Sequence, residues 1–254
     1  MTILDVNNIS KIYNPDNALK CVALDGVSLK VEEGDFLVIM GPSGSGKTTL
    51  LNNISSIDKP TSGTVQLLGE YIYALDDGAL SKLRNQYFGF IFQDFNLIDA
   101  LTIRENISLP LVVEKGRNLD DINGRINEVA NMLGIEMCLE KKAKQCSVGQ
   151  RQRSAIARAL INSPKLIVAD EPTGNLDSSN SHEFMKILKK LNKEQNVSII
   201  MVTHDPMIGS YADKLLYIKD GKISNQIERN DMSQQDFYQR IVELSLDNKN
   251  IFES

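Results

Sequence analysis

The 254-residue chain is 42% hydrophobic and 24% charged, holds no Trp, and carries a formal net charge of −5. Those fractions exclude disordered and collagen-like chains, and the length suits one large α/β domain or two small ones with an ample core. An acidic balance without a basic block disfavours a nucleic-acid partner, and apolar runs such as Phe36–Met40 fall far short of the roughly 18 residues a membrane span needs. Met1–Asp5 lacks a basic region followed by an apolar one, so no secretory signal is expected. Cys21, Cys138 and Cys146 form no CxxC pair and only two His are present, which predicts a reduced, cytosolic compartment with neither a disulfide framework nor a zinc site.

In chain order, the first 35 residues and Gly63–Leu75 read as shorter strands with Gly turns, an antiparallel portion leaning on a parallel core. Phe36–Met40, Leu166–Ala169 and Ile199–Val202 are continuous apolar runs, as expected of strands covered on both faces. Ile122, Ile126, Val129 and Leu133 follow helical spacing, as do Phe184, Ile187, Leu188 and Leu191. Residues from about 94 to 160 are mainly helical between two strand-rich blocks, which predicts an inserted helical subdomain. Phe237, Ile241 and Leu244 predict a short helix before a polar tail. The expected division is a body over 1–225 and a C-terminal helix and tail over 226–254. The fold class is α/β with a mixed sheet.

Gly41-Pro42-Ser43-Gly44-Ser45-Gly46-Lys47-Thr48 fits G-x-x-x-x-G-K-[ST] between an apolar strand and a helical continuation. Glycine lets successive N–H groups converge on phosphate oxygens, and the helix N-terminus adds a favourable dipole. Lys47 would bridge the β- and γ-phosphates, and Thr48 would offer its hydroxyl to Mg²⁺. The strand Leu166–Ala169 runs into Asp170 and Glu171. Asp170 is placed to hold Mg²⁺ at the carboxyl edge of a sheet, and Glu171 to polarise the attacking water. A second strand ends in Thr203-His204, whose imidazole could contact the γ-phosphate and orient that carboxylate. Alone, such strand ends serve solvation as readily as chemistry; the upstream loop is what gives them meaning.

These pieces occur in the order and spacing of ATP-binding-cassette (ABC) ATPases, and the sequence resembles the ATP-binding subunits of bacterial ABC transporters over roughly residues 2 to 225. The resemblance implies a P-loop NTPase fold of ABC type with ATP held along Gly41–Thr49, Thr49 included. It implies that Tyr13 stacks on adenine, that Gln93 in Phe90-Ile-Phe-Gln-Asp94 contacts Mg²⁺ and senses a transmembrane partner, and that His204 is the switch histidine. Asn175-Leu-Asp177 matches the loop that reaches the opposite subunit. Cys146-Ser-Val-Gly-Gln150 occupies the place of the family segment Leu-Ser-Gly-Gly-Gln, with Ser147, Gly149 and Gln150 matching. There the family caps the ATP of the other subunit. Val148 departs from the first glycine and brings a stiff, branched side chain where backbone approaches a ligand.

Half-sites on one chain imply a second copy, closed head to tail by ATP. The resemblance also implies an integral membrane permease and a place on the cytoplasmic face of the membrane. Asp94–Pro110 and Asn175 look like the macrolide-export, lipoprotein-release and cell-division group. Met201–Pro206, Ser210–Ala212, Ile218–Gly221 and Asp236–Ile241 look most like the bacitracin/lantibiotic-resistance transporters. That branch implies two ATPase copies on one large permease and a signal passed through it to a sensor histidine kinase. Translation factors of this type carry two cassettes per chain, and repair ATPases insert a coiled coil absent between Gln93 and Cys146.

Overall fold

The computed structural model describes residues 1–14, 20–112 and 118–249, so the end of the expected polar tail lies outside the described residues. Two long strands open the chain, β1 (Thr2–Tyr13) and β2 (Cys21–Glu32). They pair antiparallel with repeated register shifts, and β1 also pairs with β4 (Ser62–Leu67), which pairs with β5 (Glu70–Tyr71). The first 35 residues are thus two strands of 12 residues each rather than short ones. The register shifts let long strands keep curving without breaking.

The second sheet has the order β10-β9-β3-β8-β7-β6. It contains β3 (Phe36–Met40), β6 (Phe88–Phe92), β7 (Leu166–Asp170), β8 (Ser198–Val202), β9 (Lys214–Lys219) and β10 (Lys222–Glu228). All neighbours are parallel except β10 against β9. Alternation across the pleat explains the continuous apolar runs. Phe36, Val38, Met40, Ile167, Ala169, Ile199 and Met201 enter one core, while Leu37, Ile39, Leu166, Val168, Ile200 and Val202 enter the other.

The first core is closed by α3 (Ile103–Val112), α4 (Leu119–Leu133), α5 (Val148–Leu160), α6 (Ser178–Gln195), α7 (Pro206–Gly209) and α8 (Gln234–Lys249). The second lies between the two sheets and holds α1 (Lys47–Ile54) with a face of α2 (Asp77–Tyr87). The helices of the 94–160 stretch therefore share a core with the parallel sheet.

The last helix is longer than the short one expected. Phe237 and Ile241 are fully buried, with Leu244 packed beside them, and each such side chain contributes about 1.5–3 kcal/mol of burial free energy. Residue 225 lies inside β10, opposite Tyr217, and a turn joins β10 to α8 at Gln234.

Candidate functional site

Four parallel strands, β3, β8, β7 and β6, lie side by side and end level with one another. Phe92 pairs with Asp170, Asp170 with Val202, and Val202 with Ile39. The residues that follow are therefore neighbours at one carboxyl edge: Gly41 onward after β3, His204 after β8, Glu171 after β7 and Gln93 after β6. Ligands of open α/β sheets gather at this edge because the strand ends open a crevice there.

The loop after β3 is shaped by two glycines. A Cβ at Gly41 would collide with the Ile218 carbonyl oxygen, and one at Gly46 with that of Ala23; Gly46 also has φ +100°. Gly46 begins α1 without a side-chain cap. Every other α-helix of the described residues starts on one: Asp76, Thr102, Asn118, Ser147, Asp177, Asp205 and Ser233 each accept a backbone N–H. The first bond of α1 runs from Leu50 N–H to Gly46 O, so the earlier N–H groups point out of the helix end. With no acidic residue in the first turn, the dipole faces an open cradle fit for an anion. The buried Ser45 hydroxyl in the same loop has no partner among the described residues.

Lys47 folds back over the loop and donates to the carbonyls of Gly41 at 2.9 Å and Pro42 at 2.8 Å. Burial pulls the pKa of its ammonium down, against the charges of Glu171 and Asp170. Thr48 Oγ1 lies 3.4 Å from Asp170 Oδ1. Burial pushes the Asp170 carboxyl up, and Glu171 adds to this, while the Thr48 hydroxyl and Lys47 work the other way. A hydroxyl and a desolvated carboxylate together are a hard-oxygen donor set suited to Mg²⁺.

Glu171 sits at φ +45°, a left-handed conformation that costs a non-glycine residue about 1–3 kcal/mol and persists only where its surroundings impose it. Its N–H is held by the Val202 carbonyl. His204 Nδ1 lies 3.0 Å from both Glu171 carboxylate oxygens, so the imidazole fixes the direction of this side chain. The carboxylate is 21% exposed while His204 is 73% exposed, leaving the ring free to meet a ligand. The exposed Gln93 side chain presses against the backbone of Gly174.

Tyr13 lies at the end of β1, with its hydroxyl donating to Asp58 Oδ2 at 2.7 Å and the Lys11 ammonium 4.9 Å from its ring centre. Lys11 and Asp58 are themselves paired at 2.7 Å. Partial burial raises the Tyr13 phenol, with Asp58 reinforcing the shift and a hydroxyl contact from Thr49 opposing it. The aromatic thus stands by the first turn of α1. No local pattern points to the Lys11–Asp58 pair that braces it, since its members lie 47 positions apart.

Ser147, Gly149 and Gln150 stand apart. Among the described residues, none of their hydrogen bonds runs to the Gly41–Thr48 loop. Ser147 caps α5 in a reciprocal box with Gln150, at 3.3 Å and 3.0 Å. Val148 is the first helical residue, and its side chain is 40% exposed. Cys146 fills the apolar position before the cap, 8% exposed. His182 is exposed near the beginning of α6 and contacts the Tyr211 hydroxyl.

A glycine-lined cradle at a helix start, opposite a paired carboxylate edge on a parallel sheet, defines the class of P-loop ATPases. The family model for the ABC transporter matches residues 24–174. The ABC transporter ATP-binding protein YxdL of Bacillus subtilis is 47% identical over 95% of this chain and 93% of its own. The bacitracin export ATP-binding protein BceA of Halalkalibacterium halodurans is 43% identical over 95% of each chain. The dimeric MJ0796 cassette of Methanocaldococcus jannaschii, in a post-hydrolysis state bound to ADP and Pi, superposes with a TM-score of 0.81. It is 41% identical, over 89% of this chain and 98% of that one. The chain belongs to the ABC transporter family as an ATP-binding, ATP-hydrolysing subunit.

Proposed function

We propose that this chain powers a membrane permease that protects a cell from peptide antibiotics of the bacitracin or lantibiotic type. The observation that carries this reading is the full-length likeness to BceA, whose name is that of a bacitracin export protein. Two copies close head to tail on ATP, each nucleotide lying between the Gly41–Thr49 loop of one and the Ser147–Gln150 segment of the other. The separation of these two half-sites within one chain supports that arrangement, as does the dimeric form of the MJ0796 cassette.

Within each site Tyr13 stacks on adenine, the open N–H groups of α1 and Lys47 hold the phosphates, and Glu171 takes a proton from the attacking water. His204 holds Glu171 in register and reaches the γ-phosphate. Ser147 and Gly149 supply donors to that phosphate from the other copy, with Gln150 locking the cap. Thr48, Asp170 and Gln93 are the residues that would hold Mg²⁺. When bound, that ion neutralises charge developing on the phosphate oxygens.

Among the described residues no helix is long and apolar enough to cross a membrane, so attachment at the cytoplasmic face runs through the permease. A groove of about 420 Å³ beside Gln93, lined by Arg84, Asn85, Phe90, Phe92, Asn96 and Arg158, is open to that partner. The permease in turn passes a signal to a sensor histidine kinase. The ATPase body carries the helices of 94–160 as its subdomain and α8 as a C-terminal cover.

Cells carrying Glu171→Gln in place of the native chain are expected to become selectively hypersensitive to bacitracin-like or lantibiotic peptides. Unchanged susceptibility with the variant stably present would contradict the antibiotic reading and turn attention to lipoprotein release or cell-division control.

A further inference from the structure

The strained backbone of Glu171 is held by more than its own strand. Its carbonyl accepts the N–H of Gly174 at 3.0 Å, which makes Glu171–Gly174 a closed turn. The next residue, Asn175, donates through Nδ2 to Asp94 Oδ1 at 2.7 Å, a partner 81 positions away in sequence, and reaches the Gln93 carbonyl at 3.5 Å. Gly174 leans on the Gln93 side chain so closely that a Cβ there would lie 2.8 Å from Nε2.

The segment that carries Asp94 is itself rigidly seated. Phe95 and Asn96 are both left-handed, at φ +60° and +48°. The guanidinium of Arg158, on α5, donates to both of their carbonyls, at 2.6 Å and 2.5 Å. Burial lowers the pKa of that guanidinium, so the two carbonyls are its compensation in a poorly solvated place.

We infer that Asp94 and Asn175 are positioning residues for hydrolysis: their hydrogen bond fastens the turn after Glu171 to the Gln93 segment and so sets the carboxylate against the attacking water. This rests on the reading that Glu171 activates that water. The pair acts through the Glu171 backbone, whose conformation is unfavourable without outside support. Misplacing a reacting group by about 1 Å can cost up to roughly 10²-fold in rate. Both side chains are exposed, so removing either leaves the core intact.

The test is steady-state phosphate release by Asp94→Ala, Asn175→Ala, the double variant and the exchanged pair Asp94→Asn with Asn175→Asp. Each single change is expected to lower kcat about tenfold, with KM for ATP within about twofold of the native chain. The double variant is expected to be no slower than either single one, because the second change removes nothing further. The exchanged pair remakes the bond with donor and acceptor reversed, and is expected to recover to within about threefold of native. Losses that multiply, a change in KM instead of kcat, or an exchanged pair as slow as the double variant would overturn the inference. Glu171→Gln, run alongside, separates the two ideas. If it still turns over ATP, the assignment of Glu171 fails; if it is inactive while the single variants match native, only the positioning role fails.

Discussion

Replacing Glu171 with Gln is expected to slow ATP hydrolysis by roughly 10²–10⁴-fold while ATP binding stays near native, the range lost when a positioned general base is removed. The change keeps the shape of the side chain but removes its ability to take a proton. It also keeps an oxygen for His204, which lies 3.0 Å from the native carboxylate. Glu and Gln share one unbranched side-chain length, so the left-handed backbone at this position costs both alike and the fold is not the quantity under test. Single-turnover phosphate release with a parallel binding titration measures both quantities. Turnover within about threefold of native would place the base elsewhere.

Lys47→Ala acts one step earlier. It is expected to weaken ATP binding by about 10–10²-fold and hydrolysis with it, as befits the loss of a charge-assisted contact to phosphate. The ammonium is already gathered at the loop by the Gly41 and Pro42 carbonyls, so its position needs little reorganisation on binding. Burial makes the charge costly, and a bound phosphate would offset that cost. Lys47→Arg should not restore binding, because a planar guanidinium cannot occupy the place of a compact ammonium under two carbonyls. Titration of a fluorescent ATP analogue against both variants checks this. Native affinity in Lys47→Ala would leave the α1 N–H groups as the sole phosphate holders.

Much of this was legible in the sequence because burial on both faces makes a parallel strand continuously apolar. Phe36–Met40 was found to the residue for that reason, and the other two runs to within one residue. Strand ends then fixed the places of Gly41, Glu171 and His204, since parallel strands deliver their following residues to one edge. The spacing of Phe237, Ile241 and Leu244 found α8 by the same logic of one buried face.

What stayed hidden were partners far apart in the chain. Nothing in the local pattern joins Tyr13 to Asp58, Asn175 to Asp94, or Arg158 to the carbonyls of Phe95 and Asn96. Left-handed backbone at Glu171 has no residue signature either, because glutamate gives no hint of it. Val148 could be read only as bulk near a ligand. Its place as the first residue of α5, 40% exposed, shows that the cap made by Ser147 and Gln150 forms despite the branch.

In the proposed closed state one chain holds two half-sites that complete each other across two copies. Sedimentation of Glu171→Gln with saturating ATP tests this arrangement, since blocked hydrolysis should hold the closed state. A dimer that appears with ATP and returns to monomer when nucleotide is removed is the predicted result. A monomer at every ATP concentration, with binding intact, would contradict the shared site and leave Ser147, Gly149 and Gln150 without a nucleotide to cap.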